Sequence, residues 1–277
     1  MARARSLSPG ATASSKSTIN LSVATFTALL KRHRIPQGVE LTAARLAFRE
    51  VVRRMPAMAE EAGHAARRAA RGELGVLRVG FTASSGFSPV VTAAIRAYRR
   101  AYPDVEVQMD EANTASLIAD LENHRLDAAF LRPGESLARD IQFRLLSEEP
   151  LVAVLPSAHA NARGRRLKLA DLAVDEFITF PRQYGSAMYD TIIAACRAAG
   201  FEPRLGQIAP QIASIIHFVA AGLGVALVPA CMRELKNTGV VFRELSDVAA
   251  SVELSLAWRR GDRSLFVRNF VEGALRT

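Results

Sequence analysis

Cysteine is nearly absent from these 277 residues, with only Cys196 and Cys231 present. Neither sits in a CxxC pair or at ligand spacing from a histidine, so a disulfide framework or a cysteine metal site has no support, and both read as packed, reduced thiols. His33, His64, His124, His159 and His217 show no metal-ligand spacing either. His217 lies in an apolar helical run and reads as a packed core histidine. No GxSxG elbow and no glycine-rich phosphate loop occurs, so the common nucleophile and nucleotide signatures are missing, and neither catalysis nor a cofactor is expected. Long hydrophobic runs are missing too. No stretch approaches the roughly eighteen uninterrupted apolar residues of a membrane span, and MARARSLSPG at residues 1–10 lacks the apolar centre of an export signal. The expectation is a cytoplasmic protein with no membrane partner.

What is present is an ordinary soluble composition, 49% apolar and 23% charged, in a chain long enough for one to three domains. The charge is unevenly placed. Residues 1–73 hold thirteen Lys or Arg against five Asp or Glu, a net of +8, while the whole chain is +9. A basic segment on a near-neutral body suits a polyanion such as DNA, or a solvated basic helix.

The first eighteen residues are dominated by Ser, Thr, Ala, Gly and Pro. Ile19, Val23, Phe26 and Leu30 then recur at helical spacing ahead of the basic run Lys31, Arg32, His33, Arg34. From Leu41 an apolar seam alternates steps of three and four: Leu41, Ala44, Phe48, Val51, Met55, Met58, Ala62, Ala65 and Ala69. Such a seam predicts a coiled coil, or a helix packed on its own domain. Thr42 is placed to start the helix and Gly72 to stop it. Pro56 predicts a kink or a fresh start, because it lacks an amide proton and clashes one turn back.

After Gly75 strands and helices alternate. Strands are expected at 77–81, 105–109 and 127–131 with helices at 88–102 and 114–123, followed by apolar runs at 143–146 and 151–155. A second set has strands at 177–180, 204–208 and 225–228 with helices at 186–199 and 211–221. The end is strand-like at 252–258 and helical at 265–275. This order implies two α/β units, each with its own parallel sheet, sharing a cleft outside the carboxyl ends of the strands. The turn from the strand at 77–81 into its helix reads Thr82, Ala83, Ser84, Ser85, Gly86. Its serines either cap the helix or help its unpaired N–H groups hold a carboxylate or phosphate.

Four segments resemble the LysR-type transcriptional regulators. VELTAARLAFRE at 39–50 is similar to the start of that family's linker helix, and ARRAARGELGVLRVGFTAS at 66–84 to its passage into the effector-binding domain. LENHRLDAAFLRP at 121–133 and VAAGLGVALVP at 219–229 resemble the family's segments in the same order. The resemblance implies a two-subdomain, periplasmic-binding-protein-like (type 2) effector domain, preceded by a dimerising linker helix and a partial winged helix-turn-helix. The implied divisions are 1–40 for the DNA-binding part, 41–73 for the linker and 74–277 for the effector domain. Within the last, subdomain I takes about 74–153 plus 260–277 and subdomain II about 154–259.

By position, Ser84, Ser85, Thr114, Arg132, Phe180, Arg182 and Gln211 match effector-cleft residues of the family. Thr114 as a helix cap, Arg132 paired with a surface acid and Gln211 merely solvated are the alternatives. SKSTINLSVATFTALL at 15–30 resembles a degraded recognition helix, which marks Lys16, Ser17, Thr18 and Asn20, together with Lys31, Arg32 and Arg34, as DNA-contacting. Pro9 and Gly10 stand where a regular second helix is expected, and there is no room for a first, so weak and poorly specific DNA binding is the expectation. The implied protein is a homodimer or homotetramer that senses a small, anionic metabolite. A stand-alone solute-binding protein is the alternative on the same scaffold.

Overall fold

The computed structural model describes residues 32–35, 38–134 and 138–276, with side chains from Leu41 onward. Two compact units divide between His64 and Ala65. Among the described residues no helix is long and apolar enough to cross a membrane.

In the first unit, strands β1 (Arg32–Ile35) and β2 (Gly38–Leu41) pair antiparallel, Arg32 opposite Leu41. Arg32 and Arg34 therefore lie on a strand. Lys16, Ser17, Thr18, Asn20 and Lys31 fall outside the described residues. Helix α1 (Ala43–Val52) begins where Thr42 Oγ1 accepts from the Arg45 amide at 3.3 Å. A break at residues 53–54 precedes α2 (Met55–Ala70), which places Pro56 in a first turn, where its missing N–H costs nothing. Neither helix buries a residue, and Phe48, Val51, Met55 and Met58 are all exposed. Gly72 follows α2 at φ +68°, and a Cβ there would come within 2.9 Å of Leu265.

After the end of α2, the second unit continues with β3 (Gly75–Phe81), α3 (Pro89–Ala101), β4 (Val105–Glu111), α4 (Thr114–Glu122) and β5 (Ala128–Leu131). β4, β3 and β5 lie side by side and parallel. β12 (Ser251–Arg259) then runs antiparallel to β5, so this strand belongs with the first sheet and not with the span 154–259 assigned above to the second subdomain. Leu254 and Leu256 explain the placement, because they close one core with Leu77, Val79, Phe130 and Phe270 of helix α7 (Leu265–Ala274). The opposite face packs Leu117 and Leu121 of α4 on Ala129 and Leu131.

The two apolar runs at 143–146 and 151–155 form one strand, β6 (Ile141–Pro156). Its first part, through Pro150, pairs with β12, and its last six residues pair with β10 (Ala226–Pro229) and β11 (Val240–Leu245). The expectation of a separate sheet for each lobe is thus corrected. One continuous strand joins them, and the polar stretch SEEP at 147–150 marks where it changes partners. The two-residue strand β7 (Arg166–Leu167) ends this shared sheet beyond β11.

The second lobe also holds the parallel pair β8 (Glu176–Thr179) and β9 (Arg204–Ile208), with helices α5 (Ser186–Ala198) and α6 (Ile212–Ala220). After α6, Gly222 at φ +76° ends the helix, and Gly224 at φ +146° lets the chain pass against the Glu176 carbonyl, where a Cβ would sit 2.3 Å from the oxygen. His217 of α6 is exposed, a correction to the core reading: the helix buries Ile212, Ile215, Ile216 and Val219, and position 217 faces away from them. Cys196 and Cys231 are both buried and free.

Candidate functional site

Three adjacent parallel strands end together. β3 runs into Thr82, Ala83 and Ser84, β4 into Ala112 and Asn113 before α4, and β5 into Arg132. From the other lobe, Phe180 follows β8, and the starts of α5 and α6 bring Tyr184, Gly185, Met188, Gln211 and Ile212 to the same space. They enclose a cavity of about 460 Å³, within the usual range of roughly 300–1,000 Å³ for small-molecule sites. The position outside the carboxyl ends of parallel strands is the one that open α/β sheets offer ligands.

Ser84, Thr114, Arg132, Phe180 and Gln211 all line this cavity. Ser85 and Arg182 do not, and both are corrections. Ser85 is fully buried and its hydroxyl is turned into the fold, 2.8 Å from the Thr82 carbonyl oxygen and 3.2 Å from that of Phe130. Arg182 makes two 2.7 Å bonds to Asp190 on the surface and lines a different groove. The hydrogen bond from Arg182 holds the Asp190 carboxyl below the usual carboxylate range.

Thr114 is the first residue of α4, and the cap is its neighbour: Asn113 Oδ1 accepts from the Ser116 amide at 3.0 Å. The Thr114 hydroxyl makes no hydrogen bond to the described residues, and the first amides of the helix have no acceptor within it. Gln211 holds the N-cap position of α6 without a side-chain cap bond, so a second helix start opens on the cavity with its positive end free.

Ser84 is 5% exposed and Arg132 4%. Arg132 Nε donates to Ser84 Oγ at 3.1 Å, which occupies the serine oxygen as an acceptor. The Ser84 O–H proton has no acceptor among the described residues. Thr82 Oγ1 is likewise buried without a partner. Hydroxyls facing a cavity with unspent donors are what a bound anion would satisfy.

Behind this wall Arg132 does not meet a surface acid. Its Nη2 pairs with Glu149, which is 8% exposed and sits where β6 changes partners. The Cys231 thiol, in the short helical turn after β10, lies 3.2 Å from both Glu149 Oε2 and the Ser84 carbonyl oxygen and donates its one proton to either. Burial, with the Glu149 charge second, pushes that thiol up to about 12, so it stays protonated at neutral pH. The network joins Ser84 and Arg132 of one lobe, Glu149 of the shared strand and Cys231 of the other lobe. Among the described residues no group of His, Cys, Asp and Glu could hold a metal ion.

Sequence reasoning missed Glu149, Cys231, Glu111, Tyr184 and Met188. Glu149 falls between the two expected apolar runs, and Cys231 carried no signal beyond its isolation, because its partners stand 82 and 147 residues away.

Residues 70–277 match the LysR substrate binding domain family. The chain is 33% identical over 238 residues to the HTH-type transcriptional regulator YnfL of Escherichia coli (strain K12), covering 86% of this chain and 80% of that one. It is also 33% identical to the HTH-type transcriptional regulator BudR of Raoultella terrigena, over 89% of this chain and 84% of the relative. Its fold superposes on the crystal structure of CbnR, a LysR family transcriptional regulator also solved with its target DNA, at a TM-score of 0.77 and 25% identity, covering 88% and 83% of the two chains. On the family match and on these relatives, the chain belongs to the LysR family of transcriptional regulators.

Proposed function

We propose that a small carboxylate bound in the inter-lobe cavity is the effector of this regulator, and that its binding changes how the chain acts on DNA. The carrying observation is the pair of unspent hydroxyls: the Ser84 O–H, held in place by Arg132, and the Thr114 O–H at the first residue of α4. A carboxylate seated there accepts from both and from the first amides of α4, without needing a lysine.

The remaining parts follow the family pattern. The basic segment 1–73 contacts DNA, which is the partner that CbnR was solved with. Arg32 and Arg34 on β1 are among the cations that meet phosphate, with Lys16, Ser17, Thr18, Asn20 and Lys31 ahead of them. The exposed seam of α1 and α2 pairs with a second copy, giving a dimer or tetramer, and the protein works in the cytoplasm. Subdomain I begins near residue 74 and gives way to subdomain II along β6, where the strand changes partners after Pro150.

Thermal unfolding of the full chain against a panel of small carboxylates, followed by mobility shifts on genomic fragments with each stabilising compound, tests this reading. A compound that raises the melting temperature should also change retention of at least one fragment. Stabilisation with an unaltered DNA pattern for every compound contradicts it.

A further inference from the structure

We infer that the cavity selects a monocarboxylate with an apolar body and rejects dianions, with Glu111 acting as a specificity-determining residue at its rim. This rests on the effector site proposed above and names the chemical class that the site takes.

The charge balance is the first observation. Among the described residues lining the cavity, the charged side chains are Arg132 and Glu111. Arg132 is not available as a full counter-charge, since its guanidinium is already paired with buried Glu149 and bonded to Ser84. Glu111, the last residue of β4, adds a negative charge three residues before Thr114. The donors left over are uncharged, among them the Thr82, Ser84 and Thr114 hydroxyls and the helix starts at Thr114 and Gln211. Hydroxyls and helix dipoles stabilise one negative group well, each contributing a partial charge. A second negative group would lose its water with no cation to replace it and would face Glu111.

The opposite wall is the second observation. Phe180, Met188 and Ile212 present apolar surface there, and each is more than nine-tenths buried, so they form a fixed wall rather than a mobile rim. A ligand anchored at Ser84 and Thr114 through its carboxylate therefore places its other end against hydrocarbon. A hydrocarbon body gains from that contact, and a second carboxylate or a phosphate loses.

Calorimetry of the full chain with two matched pairs tests the inference: 4-methylpentanoate against adipate, and phenylacetate against phenyl phosphate. Each monoanion should bind at least about tenfold more tightly than its dianionic partner. Glu111→Gln should narrow that ratio about two- to fivefold, the modest size reflecting an exposed charge. Thr114→Val should weaken the monoanions. If the dianions bind as tightly as the monoanions and lose affinity in Thr114→Val, the charge selection is wrong while the site stands. If Glu111→Gln leaves the ratio unchanged, Glu111 has no part in it. Binding untouched by Thr114→Val, or no heat from any of the four, overturns the site and the inference together.

Discussion

Arg132 and Glu149 form a buried ion pair, the two residues 4% and 8% exposed, and they come from different structural contexts: the end of β5 and the point where β6 passes between lobes. Two desolvated charges at a junction between lobes are costly unless paired, and the pair is completed by Ser84 and the Cys231 thiol. Removing one partner leaves the other uncompensated. Glu149→Ala or Arg132→Met should each lower unfolding stability by about 3–5 kcal/mol in chemical denaturation, while Arg132→Met combined with Glu149→Leu should cost less than either alone. Additive losses in the double variant would show that the two charges are not coupled.

Ser84 has two roles that its variants should separate. Its oxygen satisfies Arg132 Nε in the free protein, so Ser84→Ala should cost about 1–3 kcal/mol of stability even without ligand, because a charged donor is left buried and unpaired. An unchanged melting temperature for Ser84→Ala would mean that water or a neighbour replaces the bond.

Both thiols should be inert when folded. Burial raises Cys196 and Cys231 to about 12, so at pH 8 each is almost wholly the unreactive thiol. Ellman's reagent should titrate neither in the native protein and both after denaturation. The raised values also set a sign. The folded state holds these protons where the unfolded state has released them, so the thiols contribute stability up to the unfolded value near 9, and it is lost as pH rises from there towards about 12. Rapid labelling at pH 8 would contradict this burial.

The apolar seam on α1 and α2 should hold two chains together. Phe48 is 42% and Met58 63% exposed in the single chain, and burying such side chains contributes roughly 1.5–3 kcal/mol each. In sedimentation the full chain should be a dimer or larger at micromolar concentration, and Phe48→Glu with Met58→Glu should shift it towards monomer. A parent chain that sediments as a monomer refutes the pairing.

The alternation of strands and helices was legible because most elements carry their own period and stop signals: Gly72 after α2, Gly222 after α6, and the apolar run Val76, Leu77, Val79 and Phe81 in β3. β6 was not legible as one strand, since Ser147, Glu148, Glu149 and Pro150 interrupt its apolar pattern for a reason that lies in its partners. The site was partly legible for the same cause. Strand-to-helix turns can be located from the chain, so Ser84 and Thr114 could be named, whereas Ser85 differs from Ser84 only in which way its side chain turns. Arg182 was misplaced because its partner Asp190 stands eight residues on, across the turn into α5, a spacing that no single helical period encodes. Glu149 and Cys231 reach the site through contacts of long sequence separation that no local pattern encodes.

Calorimetry of Thr114→Val with a small carboxylate that binds the parent addresses the proposed anion seat most directly, because the Thr114 hydroxyl has no hydrogen-bond partner among the described residues and its loss should leave the free protein as stable as before. Removing a hydroxyl that donates to a charged ligand costs roughly 1.5–3 kcal/mol, so affinity should fall about ten- to a hundredfold with no change in the ligand-free melting temperature. A variant that binds the carboxylate as tightly as the parent would contradict the seat at the start of α4.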